Sequence, residues 1–368
     1  MGKIGETTLE INLSNLEHNY NFLKSKLEPE TKFLGVVKAF AYGSDMIAIA
    51  SKLEALGVDY VAVAYVKEGV LLREAGIKAP ILVLHPQPLH LDELIDHCLE
   101  PSLYAPKLLG QFIEIAKQKK QNQYPVHIKF NTGLNRLGFW ENDVDYILQK
   151  IEGVNEIKVK AVLSHLAASD DLNEQHFTLN QIKVFEKVSA EFERQLGYST
   201  IRHMLNTSGI LNYPQAQFNM VRSGIGLYGY GNHPNFDEKL KPVATLKTVI
   251  SQMHKIEPGE SVGYNRSYIS DGYRTTATLP LGHADGIGRH FGGGKTYVKV
   301  GGKMAPIIGN VCMDMIMIDV TDIDCKEGDE VIVFGTEHSA EEFAKSAKTI
   351  SYELLTAISS RVKRIIKA

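Results

Sequence analysis

The apolar residues of the chain fall into two textures. Up to about residue 232, short apolar runs rich in β-formers alternate with stretches of helical period. The runs are KFLGVVK from Lys32, YVAVAYV from Tyr60, APILVL from Ala79 and LEPSLY from Leu99. PVHIKF follows from Pro125, VKAVLSH from Val159, IRHMLN from Ile201 and FNMVRS from Phe218. Amphipathic segments over 44–56, 105–118, 144–151 and 174–196 lie between them. Near-continuous apolar strands separated by helices predict parallel pairing, with both sheet faces covered. Eight such runs fit an α/β fold of the (β/α)8 TIM type, whose functional groups collect at the C-terminal strand ends. An open doubly wound sheet is the competing arrangement on pattern alone.

Beyond residue 232 helical periodicity fades. Runs such as PVATLKTVISQMHKI, TTATLPLG, TYVKV, APIIG, MIMIDV and EVIVFG stand between turns bearing Gly, Asp and Pro. They predict a mainly antiparallel β-domain, closed by a last helix over about 340–359. NHPNFDEKLKP reads as the connection. The expected division is a barrel over 1–235 and a β-domain with its terminal helix over 236–368.

Composition narrows the function classes. The 368 residues are 44% hydrophobic and 23% charged, the balance of an ordinary globular protein. A net charge of −3, spread along the chain, leaves no footprint for nucleic acid or an anionic membrane. The start, MGKIGETTLEIN, lacks the basic and apolar regions of a signal peptide. No apolar run approaches the ~20 residues that span a bilayer. Three cysteines, Cys98, Cys312 and Cys325, without metal-ligand spacing read as reduced thiols of a cytoplasmic protein, and no metal is expected.

Candidate chemistry sits at the predicted strand ends. Lys38 closes the first barrel run; a lysine there either ends the strand in solvent or points into the mouth, where desolvation makes its amine nucleophilic. Arg136 follows the fifth run and His165 ends the sixth. Asn206, Thr207 and Ser208 follow the seventh, while Arg222, Gly224 and Ile225 close the eighth. Loops after the last two strands of such barrels commonly hold phosphate through backbone N–H groups and small hydroxyls. One isolated polar strand end is ordinary; this many together point to a site. GIGLYG (residues 224–229) has the spacing of a dinucleotide fingerprint, but YGNHPN follows it where a helix is required. GGGKT (residues 292–296) resembles the end of a phosphate-binding loop, yet it lacks the earlier glycine and leads into strand-like YVKV.

Motifs along nearly the whole chain carry a resemblance. VVKAFAYGSD, TGLNRLGF, SHLAASD, Asn206-Thr207, RSGIGLYG, VGYNRSY, PLGHADG, NVCMDM and TISYELLTAISSRV occur in the order of the alanine racemase family. The resemblance implies a barrel binding pyridoxal 5'-phosphate, a C-terminal β-domain and a head-to-tail homodimer with shared sites. It also implies alanine as substrate, a two-base reaction and D-alanine for peptidoglycan.

Residue by residue, it makes Lys38 the Schiff-base lysine and one catalytic base, and Tyr264 the second base, from the partner subunit. Arg222 would face the pyridine nitrogen, with His165 linking it towards the tyrosine. Arg136 would lie near the phenolic oxygen and the substrate carboxylate. Tyr42, Thr207, Gly224, Ile225 and Tyr352 match phosphate contacts, with Ser208 a further candidate. Met313, beside Asp314, matches the partner residue whose backbone helps to hold the substrate carboxylate. Lys129 aligns with a lysine that some relatives carbamylate. The sequence departs from the family pattern at Phe40, where asparagine is common, and at Ser44-Asp45, where His-Gly is common. It departs again at His283, in the place of a tyrosine that usually narrows the substrate entrance. That last change leaves open a broader amino-acid racemase acting on serine as well.

Overall fold

A computed structural model describes residues 6–368. Its first part is a closed barrel of eight parallel strands. We number the strands in chain order, with β1 at Thr8–Asn12 outside the barrel. The staves are β2 (Lys32–Val36), β3 (Tyr60–Val63), β4 (Ile81–Val83), β5 (Glu100–Leu103), β6 (Tyr124–Lys129), β7 (Ile157–Leu163), β8 (Ile201–His203) and β9 (Met220–Ser223). β9 closes on β2 in the register Phe33↔Val221 and Leu34↔Arg222. Each of the eight predicted runs overlaps one stave, with β6 and β7 starting one and two residues earlier than expected, and the barrel prevails over the open sheet.

The outer helices begin where the chain satisfies their free N–H groups. Asp45 accepts from Ala48 N at 2.9 Å, so the helix predicted over 44–56 spans Met46–Ala55. Pro106 opens Pro106–Gln118 at a position that needs no donor, and Gly197, left-handed at φ 82°, ends Gln175–Leu196.

The second part is a sheet built from β10 (Ala244–Val249), β11 (Gln252–Ile256), β14 (Arg274–Leu279), β15 (Tyr297–Val300), β16 (Lys303–Ile308), β17 (Ile316–Asp319), β18 (Glu330–Phe334) and β19 (Lys363–Lys367). A separate small hairpin joins β12 (Ser261–Val262) to β13 (Tyr268–Ile269). The strand order is β11-β14-β17-β16-β15-β18-β10-β1-β19. Neighbours are antiparallel except β1 and β19, which run parallel in the register Leu9↔Arg364. Thus β1, from the start of the described chain, lies in the sheet of the second part.

The single last helix expected over 340–359 is corrected to two, Ala340–Ser346 and Ser351–Ala357, followed by β19. Lys348 takes φ 60° between them, a left-handed turn that no helix continues through. Among the described residues, no helix is long and apolar enough to cross a membrane.

Candidate active site

Lys38 leaves β2 at the barrel mouth and enters an unusual turn: Ala39, Phe40, Ala41 and Tyr42 all have φ of 53–54°. Left-handed residues other than glycine cost roughly 1–2 kcal/mol each, so surrounding contacts must hold them. Glu68 supplies one, accepting from Ala39 N at 2.6 Å and Ala64 N at 2.7 Å. Gly43 supplies another: at φ 77°, a Cβ there would stand 2.0 Å from Leu355 O, so only glycine lets the turn dock on the helix bearing Tyr352.

Lys38 lines a cavity of about 570 Å³ with Tyr42, Lys129, Arg136, His165 and Arg222. The lining includes four lysine or arginine side chains and no aspartate or glutamate. Burial, then Arg136, lowers the Lys38 pKa, with Glu68 opposing and Arg222 adding to the fall. Lys129 is pushed down to about 8 by burial, then by Arg222, Arg136 and Lys38. Arg136 itself rides on the loop after β6, which Asn131 braces by accepting from Asn135 N at 3.0 Å.

Arg222 is buried without a carboxylate among its partners. Its guanidinium donates to His203 Nδ1 (2.8 Å), His165 Nδ1 (3.1 Å) and the carbonyls of Ser164 (2.6 Å), His203 (3.0 Å) and Met204 (3.0 Å). Burial lowers it to about 10, still charged at neutral pH. Burial and the Arg222 charge hold His165 and His203 well below the ordinary imidazole range, so both are neutral.

One end of the cavity is a polar cup. The short turn Ile225–Tyr228 starts there, so the N–H groups of Gly224 and Ile225 have no partner within the turn. The Tyr42 hydroxyl lies over Gly224 so closely that a Cβ would meet it at 2.1 Å. Thr207, buried, shares a hydrogen bond with Ser223 at 3.0 Å, and Tyr352 closes the far side with its ring centroid 6.0 Å from that of Tyr42. Ser208 does not line the cavity; Asn232 links it to Tyr352, donating to the two hydroxyls at 2.9 and 3.1 Å.

The structure does not bring Tyr264 or Met313 to this cavity. They are 70% and 59% exposed. Tyr264 tips the β12–β13 hairpin, and its carbonyl accepts from Asn310 Nδ2 at 3.1 Å. His283 N donates to Cys312 O and Ala284 N to Met313 O, each at 3.0 Å. Tyr264, His283 and Met313 therefore share one cluster of loops on the second part. Asp314 pairs there with Arg361 at 2.7 Å.

Tyr65, His85 and Ser164, which are not among the residues expected at the site, also line the cavity. His85 had a usable signal, a polar residue just after the run APILVL. The groups supporting Arg222 from inside the barrel, His203 among them, likewise lie outside the expected set.

A parallel barrel whose mouth offers a desolvated lysine, a carboxylate-free lining and a cup of N–H and hydroxyl groups defines an enzyme built for an anionic ligand. Comparison with known proteins narrows that class. The model for "Alanine racemase, N-terminal domain" matches residues 11–232, and "Alanine racemase, C-terminal domain" matches 243–366. Alanine racemases of Thermodesulfovibrio yellowstonii and Treponema denticola are each 37% identical, with 96% of both chains covered. The solved alanine racemase of Clostridium difficile 630 superposes with a TM-score of 0.91 at 35% identity, covering 99% of this chain and 96% of that one. The chain belongs to the alanine racemase family, and it is accordingly a racemase.

Proposed function

We propose that this protein interconverts L- and D-alanine, with pyridoxal 5'-phosphate anchored on Lys38 and each active site shared between two subunits of a homodimer. The observation that carries the reading is a buried lysine, its pKa lowered by that burial and by Arg136, inside a cavity lined by cations and no carboxylate. The cofactor's chemistry fits this donor set. Its phosphate suits the cup of Tyr42, Thr207, Gly224, Ile225 and Tyr352, with Ser208 behind it, and its phenolic oxygen and a substrate carboxylate suit Arg136. About 570 Å³ lies within the roughly 300–1,000 Å³ usual for such sites.

When bound, the cofactor supplies an electron sink that acidifies the Cα–H of an attached amino acid. Inversion then needs a proton removed from one face of Cα and one returned to the other, hence two bases. Lys38 is the first, its charged form disfavoured by burial and by Arg136. Tyr264 of the partner subunit is the second; on its own chain it stands outside the cavity, and a partner surface is what would bring a tyrosine to it. Exposed Tyr264, Ile269, Met313 and Met315 on one part, and Phe40 and Tyr65 near the mouth, suit such an interface.

Arg136, helped by the backbone of Met313 of the partner subunit, orients the substrate carboxylate. Arg222 can donate but never accept, so beside the cofactor's ring nitrogen it would leave that nitrogen unprotonated and restrain side reactions. His165, neutral and accepting from Arg222 at Nδ1, carries its proton on Nε2. D-Alanine for peptidoglycan, made in the cytoplasm, is the place this activity would take.

Purified protein supplied with the cofactor should convert L-alanine to a racemic mixture, and borohydride should fix the pyridoxyl mass on the peptide containing Lys38. Absence of D-alanine, or labelling elsewhere, would overturn the reading. A second reading, a racemase of broader range, is favoured by His283 beside Met313. Initial rates on a panel of L-amino acids separate the two.

A further inference from the structure

A line of polar side chains crosses the interior of the barrel beneath Arg222, where branched apolar residues ordinarily fill such a core. His203 on β8 is followed by His127 on β6, with Nε2 of His203 and Nδ1 of His127 3.4 Å apart. His127 Nε2 lies 2.8 Å from Glu100 Oε2 on β5. Lys160 on β7 donates to Glu100 Oε1 at 2.9 Å, and the Tyr60 hydroxyl on β3 donates to Oε2 at 3.2 Å. His127 and His203 are 0% exposed and Glu100 is 6% exposed.

One fixed end orients every proton in the line. Arginine only donates, so His203 Nδ1, 2.8 Å from Arg222 Nη1, must be an unprotonated acceptor. The His203 proton then sits on Nε2 and points at His127, whose Nδ1 must accept. His127 in turn carries its proton on Nε2 and gives it to Glu100, which must be a carboxylate. A doubly protonated histidine at either position would set two donors against each other. Burial alone would push the Glu100 carboxyl up, but the hydrogen bonds from His127 and Lys160 hold it below the ordinary range.

We propose that Glu100 is a positioning residue for racemisation: through His127 and His203 it sets the proton order that leaves His203 Nδ1 an acceptor and so fixes Arg222 as a rigid donor aimed at the cofactor. The active-site cavity can then stay free of carboxylates, while the carboxylate that sets the order lies deep in the barrel, out of reach of substrate. Aligned donors in a low-dielectric interior polarise one another, which lets the influence of Glu100 pass along neutral rings. Replacing the carboxylate by an amide keeps the shape but lets the histidine protons reverse, so Arg222 would lose its acceptor at His203.

The role rests on the reading of Arg222 as the group facing the cofactor, whereas the proton positions do not. Neutron diffraction from perdeuterated holoenzyme should show deuterium on Nε2 of both His127 and His203, none on either Nδ1, and none on Glu100. Deuterium on either Nδ1, or a protonated Glu100, overturns the proposal, and needs no variant to fold. E100Q holoenzyme should lose roughly tenfold in kcat, about 1.4 kcal/mol, with KM for alanine little changed. It should also show a shifted cofactor absorption maximum and more pyruvate per racemisation turnover, readouts that a merely structural defect would leave alone. Wild-type kcat, spectrum and product ratio in E100Q would overturn the role of Glu100. Failure of the wild-type protein to racemise alanine would instead defeat the functional reading and leave the proton order standing.

Discussion

The barrel mouth and the loop cluster of the second part hold complementary halves of the proposed site in opposite physical states. At the mouth the ionisable groups are crowded and buried: Arg222 donates five hydrogen bonds, and Lys38 and Lys129 are both lowered by burial and by neighbouring cations. On the loops, Tyr264 and Met313 are mostly exposed, held only through their backbones. A preorganised pocket tunes its groups before any ligand arrives. An exposed phenol gains a partner only when another surface covers it. The comparison thus separates residues whose chemistry is built within one chain from residues whose chemistry needs two.

The strongest way to break that comparison is to divide the two bases between subunits. K38A and Y264F proteins should each lose about a thousandfold in racemisation, the scale expected when a catalytic base is removed. Refolding an equal mixture should restore about a quarter of the wild-type activity, because half of the dimers are mixed and each has one intact site. Mixtures as inactive as their parents, assayed after sizing confirms exchange, would show that the halves do not meet across subunits.

The difference between the halves also governs what could be read from the sequence. The staves were legible because strands buried on both faces appear as unbroken apolar runs, as in YVAVAYV. β19 was not: KRIIK is an edge strand with half-exposed residues, and its partner β1 lies more than 350 positions away. The last helix was read through Lys348 because lysine ordinarily favours helix, and only tertiary packing selects its left-handed turn. Lys38, Arg136, His165 and Arg222 could be found as coincident polar strand ends. Tyr264 could not, since an exposed tyrosine has no local signature, and the family resemblance alone singled it out. Glu100, His127 and His203 carry no such signal, because a polar residue inside LEPSLY, PVHIKF or IRHMLN reads as an ordinary outward position.

A middle-sized effect follows from charge crowding, which is confined to the mouth. The Lys129 pKa of about 8 lies below the ordinary 10.5, so between those values the unfolded chain binds more protons than the folded one. This group therefore makes the cofactor-free protein gain stability as pH rises from about 8 to 10.5, and its cost is complete below pH 8. K129M should raise the stability of that form at pH 7 by at most a few kcal/mol, the gain fading towards pH 10.5. Y264F should leave stability nearly unchanged throughout, as suits an exposed side chain. Urea midpoints across the range decide it, and a pH-independent K129M effect would remove the electrostatic account.

The smallest expected effect sharpens the loop half. The backbone hydrogen bonds from His283 and Ala284 fix position 283 beside Met313, and a Cβ on Gly282 would stand 2.3 Å from Met313 O, so only glycine lets this strap lie so close. Whatever side chain stands at 283 is thus held over the loop proposed to meet the substrate carboxylate from the partner subunit. Imidazole is smaller than phenol and can both donate and accept, leaving room and a polar contact for a hydroxymethyl group. H283Y should therefore lower the rate on L-serine relative to L-alanine about three- to tenfold, roughly 1 kcal/mol, the scale on which small changes of side chain are discriminated. Because His283 is exposed, its melting temperature should stay at the wild-type value. An unchanged serine-to-alanine ratio would mean that the loop cluster positions the carboxylate without selecting the side chain, and selectivity would then have to lie in the cavity wall near Tyr65 and His85.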